Sequence, residues 1–495
     1  MSLKNYELWF VTGSQHLYGP KTLEQVAANS QEIAQHLNTS AEIPVSVVFK
    51  PTVKTADEIS AMCSEANNAE NCIGIITWMH TFSPSKMWIN GLSNLQKPFL
   101  HLHTQFGTEI PWDEIDMNYM NLNQAAHGCR EYGFICSRLR LARKVVAGHW
   151  KDASVISQVG EWSRVAAGVA EMKQLKVARF GDNMRNVAVT EGDKVEAQIQ
   201  FGLTVDAWGV GDLVKAMDEV SEQDIDALIS EYEAEYDVVA ELKSGGERHD
   251  SLRYSARIEK GLKNFLDAGG YKAFTTNFEN LYGMEQLPGF AVQRLMKQGY
   301  GFGGEGDWKT AALVRTFKVM AEGLPGGTSF MEDYTYHMED GGVKVLGAHM
   351  LEVCESIAAQ KPRVEIHRLG IGGKDDPVRS LFTAPEGIGF NVAWMDMGNR
   401  FRLVCNELQV EKMENAMPKL PVAAAYWSPK PDFATSAAAW IYAGGAHHSA
   451  FTMALSKAQI QDFAEMLNLE LLMIDDKTEI GEFKKEIRLN EVFYK

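Results

Sequence analysis

The chain has 495 residues, 45% of them hydrophobic and 23% charged, with a formal net charge of −17 at pH 7. That length exceeds what one hydrophobic core supports, so about three domains are expected, and the composition is that of an ordinary globular protein. So acidic a surface repels phosphate backbones, which excludes nucleic acid as a partner.

Glu7–Val11 reads as a short strand running into the loop GSQHLYGPKT and then a helix from Leu23. Val45–Lys50 is strand-like. Thr55 and Glu58 have capping-box spacing and open a helix to Ala66. Ile73–His80 is an apolar strand, Ser83–Leu95 a helix and Pro98–Gln105 a strand. Strands separated by helix-length segments imply a parallel sheet with helices on both faces. Ligands of such sheets bind past the carboxyl ends of strands. The polar residues there are Ser14, Gln15 and His16, then His80, Thr81 and Phe82, then Thr104 and Gln105.

The next third repeats the theme. Gly160–Leu175 reads as a helix, and the strand Lys176–Phe180 ends in the loop GDNMRN. Thr204–Trp208 and Tyr271–Phe278 are further strands. Helices are expected at Ser221–Tyr236, Leu252–Ala268, Gly289–Gln298 and Trp308–Glu322. The pattern changes at Leu324-Pro-Gly-Gly327. Beyond it, period-two strands dominate: Ser329–Met338, Val343–His349, Arg363–Leu369, Phe390–Met395 and Phe401–Glu407, with Gly398-Asn399 as a hairpin turn between the last two. That predicts an antiparallel β domain or barrel, followed by the helix Lys457–Leu467 and the strand Leu469–Ile474.

The six cysteines show no CxxC spacing and read as reduced thiols. The start MSLKNYELWFVTGSQ has no basic stretch leading into an apolar one, and no run approaches transmembrane length. A cytoplasmic protein with no membrane partner is expected.

Four residues in glycine-rich or β-rich surroundings could hold one hard metal ion: Glu305, Glu332, His349 and His448. Two carboxylates and two imidazoles suit Mn²⁺, and less exclusively Co²⁺, Fe²⁺ or Mg²⁺. Their spacings are 27, 17 and 99 residues, so there is no local metal motif. Singly, each has an ordinary structural reading. Glu305 follows a run of glycines and precedes a helix, where a carboxylate is stabilised by the helix dipole. Glu332 and Tyr334 share one strand face, and His349 shares a face with Val343, Val345 and Gly347. His447-His448 form a pair in a glycine-rich turn. No G-x-S-x-G elbow, H-E-x-x-H helix or Walker loop occurs. Gly370–Lys374 is superficially like a phosphate loop, but Asp375-Asp376-Pro377 stands where a hydroxyl and a helix are needed.

The runs ELWFVTGSQHLYG, WMHTFSPSKMWI, FLHLHTQF, MNLNQAAHG, RFGDNMR, LPGFAVQRLM, GYGFGGEGDWKTAAL, GGTSFMEDYTYH, LGAHMLEVC, LGIGGKDDP and AGGAHH together resemble the bacterial L-arabinose isomerase family. Cys129 departs from the family, which often has glycine there. The resemblance implies aldose–ketose isomerisation of L-arabinose to L-ribulose, often of D-galactose to D-tagatose as well, with Mn²⁺ preferred and Co²⁺ or Mg²⁺ as substitutes. It implies Glu305, Glu332, His349 and His448 as metal ligands, with AGGAHH aligning to favour His448 over His447. Glu305 and Glu332 would also be the acid/base pair. Gln15, Phe82, His127, Met184, Phe278 and Ile371 match positions lining the sugar pocket. The family fold has two doubly wound, Rossmann-like α/β domains and a mainly antiparallel, barrel-like C-terminal domain, here 1–175, 176–325 and 326–495. It assembles as a homohexamer, a dimer of trimers, in which the equivalent of His127 enters a neighbouring subunit's site. A related fucose-type sugar isomerase and a catalytically silent sugar-binding protein are the alternatives.

Overall fold

The computed structural model describes residues 2–338, 342–370 and 372–494. The chain falls into two compact units, one formed by Met1–Ala170 with Ala458–Met466, the other by Glu171–Lys457 with Leu467–Lys495. No described helix is long and apolar enough to cross a membrane.

The first unit is a parallel sheet of β1 (Glu7–Thr12), β2 (Ser46–Phe49), β3 (Cys72–Trp78), β4 (Phe99–His103) and β5 (Lys144–Ala147), in the order β2-β1-β3-β4-β5. Every residue of β3 is buried, as expected of a central strand covered on both faces. Thr55 caps the helix Ala56–Asn68, its Oγ1 accepting from the Glu58 amide at 3.2 Å. Glu58 in turn accepts from the Lys54 amide at 2.6 Å, one residue before the usual capping-box position. The helix expected over Ser83–Leu95 is two pieces, a 3₁₀ turn at Ser85–Trp88 and an α-helix at Ile89–Asn94. Pro84 precedes the turn and disfavours a helical residue before it.

The second unit begins with β6 (Lys176–Phe180), β7 (Thr204–Trp208), the short β8 (Asp237–Val238), β9 (Ala273–Thr276) and β10 (Gly301–Gly303). All but β8 form a parallel sheet in the order β10-β9-β6-β7. There follow β11 (Thr328–His337), β12 (Lys344–Ala348), β13 (Arg363–Ile366), β14 (Val378–Leu381), β15 (Gly387–Asp396), β16 (Phe401–Glu411), β17 (Ala424–Pro429), β18 (His448–Thr452) and β19 (Glu470–Ile474). Six of these close into an antiparallel barrel. The order is β15-β18-β11-β12-β17-β16, and β16 pairs back onto β15. β19 adds to β16 in parallel.

Met331, Val345, Leu408, Val410, Trp427 and Phe451, drawn from five of the barrel strands, pack in one buried cluster. Burying each contributes about 1.5–3 kcal/mol. Gly347 is required by this packing, because a Cβ there would lie 1.9 Å from the Trp427 ring. The predicted turn joins β15 to β16, with the Gly398 amide donating to Asp396 Oδ1 at 2.7 Å.

Two expectations are corrected. Arg363–Leu369 is not a barrel strand. The strand it contains, β13, lies in a separate sheet, β14-β13-β8, because Val364 and Ile366 bury against Tyr232, Phe290 and Val378. His448 is not in a turn but opens β18. The helices at Ala125–Arg138, Phe433–Tyr442 and Ile480–Phe493 are not evident from the pattern of residues.

Candidate functional site

Strand register pairs two of the predicted ligands and leaves a third just past a strand end beside them. β11 runs between β12 and β18, and Glu332 lies opposite Ala348 on one side and His448 on the other. His349 follows Ala348 directly. Glu332 and His448 therefore form a cross-strand pair, and His349 lies just past the end of β12, next to the residue opposite Glu332. Phe330, two residues before Glu332, faces the same way. The rings of His349 and His448 pack edge-on against it at centroid distances of 4.8 and 4.9 Å, and lie 5.9 Å from each other.

The fourth predicted ligand arrives on a loop. Glu305 follows the carboxyl end of β10 with φ of +58°, a left-handed conformation that costs a non-glycine residue about 1 kcal/mol. Its carbonyl accepts from the Met184 amide at 3.0 Å, and the Gly306 carbonyl accepts from Asn183 Nδ2 at 3.2 Å. Gly306 has φ of +81°, and a Cβ there would lie 2.6 Å from Asn183 Cα. At Gly304 a Cβ would come within 3.5 Å of His349 Nε2, so loop and imidazole are in close contact. Glu305 Oε2 ends 4.0 Å from His448 Nε2 and 3.4 Å from His447 Nε2.

Both buried imidazoles have a carboxylate on Nδ1. His448 Nδ1 lies 3.2 Å from Asp307 Oδ2, and His349 Nδ1 lies 2.6 Å from Glu352 Oε2. An ionised carboxylate only accepts, so each neutral ring carries its hydrogen on Nδ1 and leaves Nε2 as a lone pair. His448 Nε2 is fully buried and makes no hydrogen bond. Asp307 is itself fixed. It caps the helix Trp308–Met320 by accepting from the Thr310 amide at 3.2 Å, and it pairs at 3.2 Å with the buried Lys309.

The electrostatics follow from these contacts. The hydrogen bond from His447 holds the Glu305 carboxyl below the usual range, against the opposing effect of burial. Burial would depress His349, but the Glu352 carboxylate reverses this and raises it above the ordinary histidine value. Burial prevails at His448 and lowers it, although Asp307 pulls the other way. His447 is raised, first by its bond to Glu305.

The donor set fits a divalent cation. Glu305, His447 and His448 each offer a ligand atom within 4.8 Å of the others. Glu332 pairs with His448 in the strand register, and the His349 ring lies 5.9 Å from that of His448. A buried, unpartnered imidazole nitrogen beside carboxylates is what such an ion would satisfy. Asp307 and Glu352 are not marked out by the sequence as site residues. Both carry a faint signal, since one has N-cap spacing to Thr310 and the other stands three residues after His349.

The predicted sugar-pocket residues fall into two groups. In the second unit, Met184 and Phe278 follow the carboxyl ends of β6 and β9, as Glu305 follows β10. Phe278, Glu305, His349 and Glu352 share the wall of one small pocket. Ile371 lies outside the described residues. In the first unit, Gln15 and Phe82 follow the neighbouring strands β1 and β3, with Gln15 Nε2 donating to the Phe82 carbonyl at 3.2 Å. The His127 ring packs on Phe82 at a centroid distance of 5.2 Å. Next to it, the Cys129 thiol is buried and burial pushes it up to about 12.

Comparison with known proteins gives a consistent result along the chain. Residues 2–174 match the model of the L-arabinose isomerase N-terminal domain, 176–323 that of the L-arabinose isomerase central domain, and 327–470 that of the L-arabinose isomerase C-terminal domain. An L-arabinose isomerase of Herpetosiphon aurantiacus is 59% identical over 494 residues, covering 100% of this chain and 99% of that protein. One from Tolumonas auensis is 59% identical, with 100% and 99% covered. One from Geobacillus stearothermophilus is 58% identical, again with 100% and 99% covered.

Proposed function

The chain belongs to the L-arabinose isomerase family and is an aldose–ketose isomerase; from that premise we propose that it interconverts L-arabinose and L-ribulose, and D-galactose and D-tagatose, at the site built by Glu305, Glu332, His349 and His448. The carrying observation is the buried His448 Nε2, which makes no hydrogen bond and has the Glu305 carboxylate 4.0 Å away, with Glu332 paired to His448 in the strand register. Mere sugar binding requires no acid/base pair, which argues against a silent binding protein. The full-length match to L-arabinose isomerases argues against a fucose-type enzyme.

Glu305, Glu332, His349 and His448 would hold Mn²⁺, or Co²⁺ or Mg²⁺ in its place. When bound, the ion supplies Lewis acidity that polarises the carbonyl of the open-chain sugar and stabilises negative charge on its oxygens. Glu332 takes the proton from C2 of the aldose and returns it to C1, which passes through an enediolate. Glu305 moves the hydroxyl proton, a role supported by its hydrogen bond to His447, an imidazole able to carry that proton. As ligands, His349 and His448 would each offer a neutral ring, oriented by the carboxylate on its far nitrogen. Phe278 and Met184, beside Glu305, are assigned to the sugar, as are Gln15, Phe82, His127 and Ile371. The family resemblance extends the reading to a cytoplasmic homohexamer in which His127 serves a neighbour's site; sedimentation of the intact protein at the mass of six chains tests the assembly.

The deciding experiment strips metal with a chelator and assays a panel of aldoses before and after adding Mn²⁺, Co²⁺ or Mg²⁺. Activity should vanish on stripping, return best with Mn²⁺, and be confined to L-arabinose and D-galactose. In D₂O, deuterium should enter at C1 of the ketose. Full activity in the stripped protein would remove the metal from the proposal.

A further inference from the structure

We propose that Glu352 and Asp307 are positioning residues that lock His349 and His448 in the Nδ1-protonated tautomer, so that both Nε2 lone pairs are directed into the site. This rests on the metal-site reading given above.

The two imidazoles come from different elements, His448 opening β18 and His349 just after β12, yet each has a carboxylate on the same nitrogen, at 2.6 Å for His349 and 3.2 Å for His448. The two carboxylates have unrelated origins. Glu352 belongs to the segment that follows β12, where its Oε2 also accepts from the Leu351 amide at 3.2 Å. Asp307 is the cap of the helix after the Glu305 loop and is held from three sides, by the Thr310 amide, the Thr310 hydroxyl and Lys309. Both are buried, and burying a carboxylate is costly unless it is hydrogen-bonded.

The consequence is chemical. A neutral imidazole in the other tautomer would present an N–H to the site, which cannot ligate a cation. A carboxylate accepting from Nδ1–H excludes that form, fixes the ring plane and makes Nε2 more basic. Phe330 supplies the steric half of the restraint, because both rings lean on it edge-first. Asp307 also ties the two sides of the site together. It stands two residues from Glu305 on the loop side, and it orients a ligand on the strand side.

The test compares Mn²⁺ dissociation constants, measured by calorimetry on chelator-stripped protein, for wild type, Glu352→Gln and Glu352→Leu. Both variants lose the charge, but only glutamine can still accept from Nδ1. Glu352→Leu should weaken Mn²⁺ binding roughly 10–100-fold, and Glu352→Gln by no more than about threefold. Equal losses in the two variants would assign the effect to charge and overturn the proposal, as would no loss in either. If wild type binds no Mn²⁺, the metal-site reading falls together with it, an outcome separate from equal binding by all three proteins. A second measurement does not depend on any Glu352 variant. Nitrogen-15 spectra of the metal-free wild type, recorded where the rings are neutral and assigned with His349→Asn and His448→Asn, should show protonated Nδ1 and bare Nε2 at both residues. Protonated Nε2 at either one would overturn the assignment there.

Discussion

The loop that carries Glu305 and the strand edge that carries Glu332, His349 and His448 reach one point by opposite means. On the strand side, the pairing of Glu332 with His448 follows from register, and His349 stands just past the end of β12. β11, β12 and β18 are neighbours in a closed ring, and a one-residue slip would turn the ligand face of a strand away from the site. None of these three residues has a positive φ, although β11 is irregular against β12 between Asp333 and Thr335. The loop has no ladder to place Glu305. It uses a left-handed glutamate flanked by two glycines and held by hydrogen bonds from Met184 and Asn183. Strained residues of this kind persist only where the surroundings over-determine them. Precision on one side is thus a property of the whole barrel, and on the other of a few local contacts.

The largest effect tests whether both sides are needed at all. Glu305→Gln and Glu332→Gln should each lower kcat by roughly 10²–10⁴-fold with the far-ultraviolet circular dichroism unchanged. Near wild-type turnover in either would end the idea of a shared acid/base pair.

The next test attacks the barrel behind the strand edge. Buried Glu470 on β19 pairs with Arg400 at 2.6 Å and Arg402 at 2.8 Å. Burial pushes its carboxyl up, but the two guanidiniums outweigh this and hold it below the usual range. Because the folded value is depressed, the stability it contributes is present above the unfolded value, about 4.3, and is lost as pH falls through the folded value. Glu470→Gln should therefore cost about 3–5 kcal/mol in urea unfolding at pH 7, and its difference from wild type should close in acid. A gap independent of pH would mean that the charge is not the cause.

The smallest test is aimed at the loop. Gly306→Ala meets both a positive φ and the Asn183 backbone, and should cost about 1–3 kcal/mol in stability. Its turnover at 25 °C should fall, whereas that of Glu470→Gln should not, since the barrel variant leaves the folded site intact. Equal turnover in the two would break the contrast between local and global positioning.

Much of this was legible in the residues. Alternating strands and helices announced the two parallel sheets, and the change to period two after Leu324 announced the barrel. The proposed ligands were another matter. No spacing rule joins Glu332 to His448, because ring closure depends on which strands become neighbours, and that is decided by packing across the whole barrel. The adjacent pair His447-His448 looked like a turn because Gly444 and Gly445 precede it, and only pairing with β11 makes His448–Thr452 a strand. β13 alternates as a barrel strand should, but its apolar face found helices instead. Glu352 and Asp307 had only generic cues, a three-residue spacing and a cap, which acquire meaning once their imidazoles are known.

The assignment of Ala458–Met466 to the first unit has a consequence for cutting the gene. The chain leaves the barrel after β18, contributes a helix whose Asp462 pairs with Lys144 at 2.9 Å, and returns as β19. A fragment ending near residue 170 would contain every strand of the first sheet and still lack a buried piece, with Ile460, Phe463 and Ala464 gone. Family modules that look like beads on a string are here laced together by their thread, so a truncation or domain exchange made at those borders removes part of the unit it is meant to isolate.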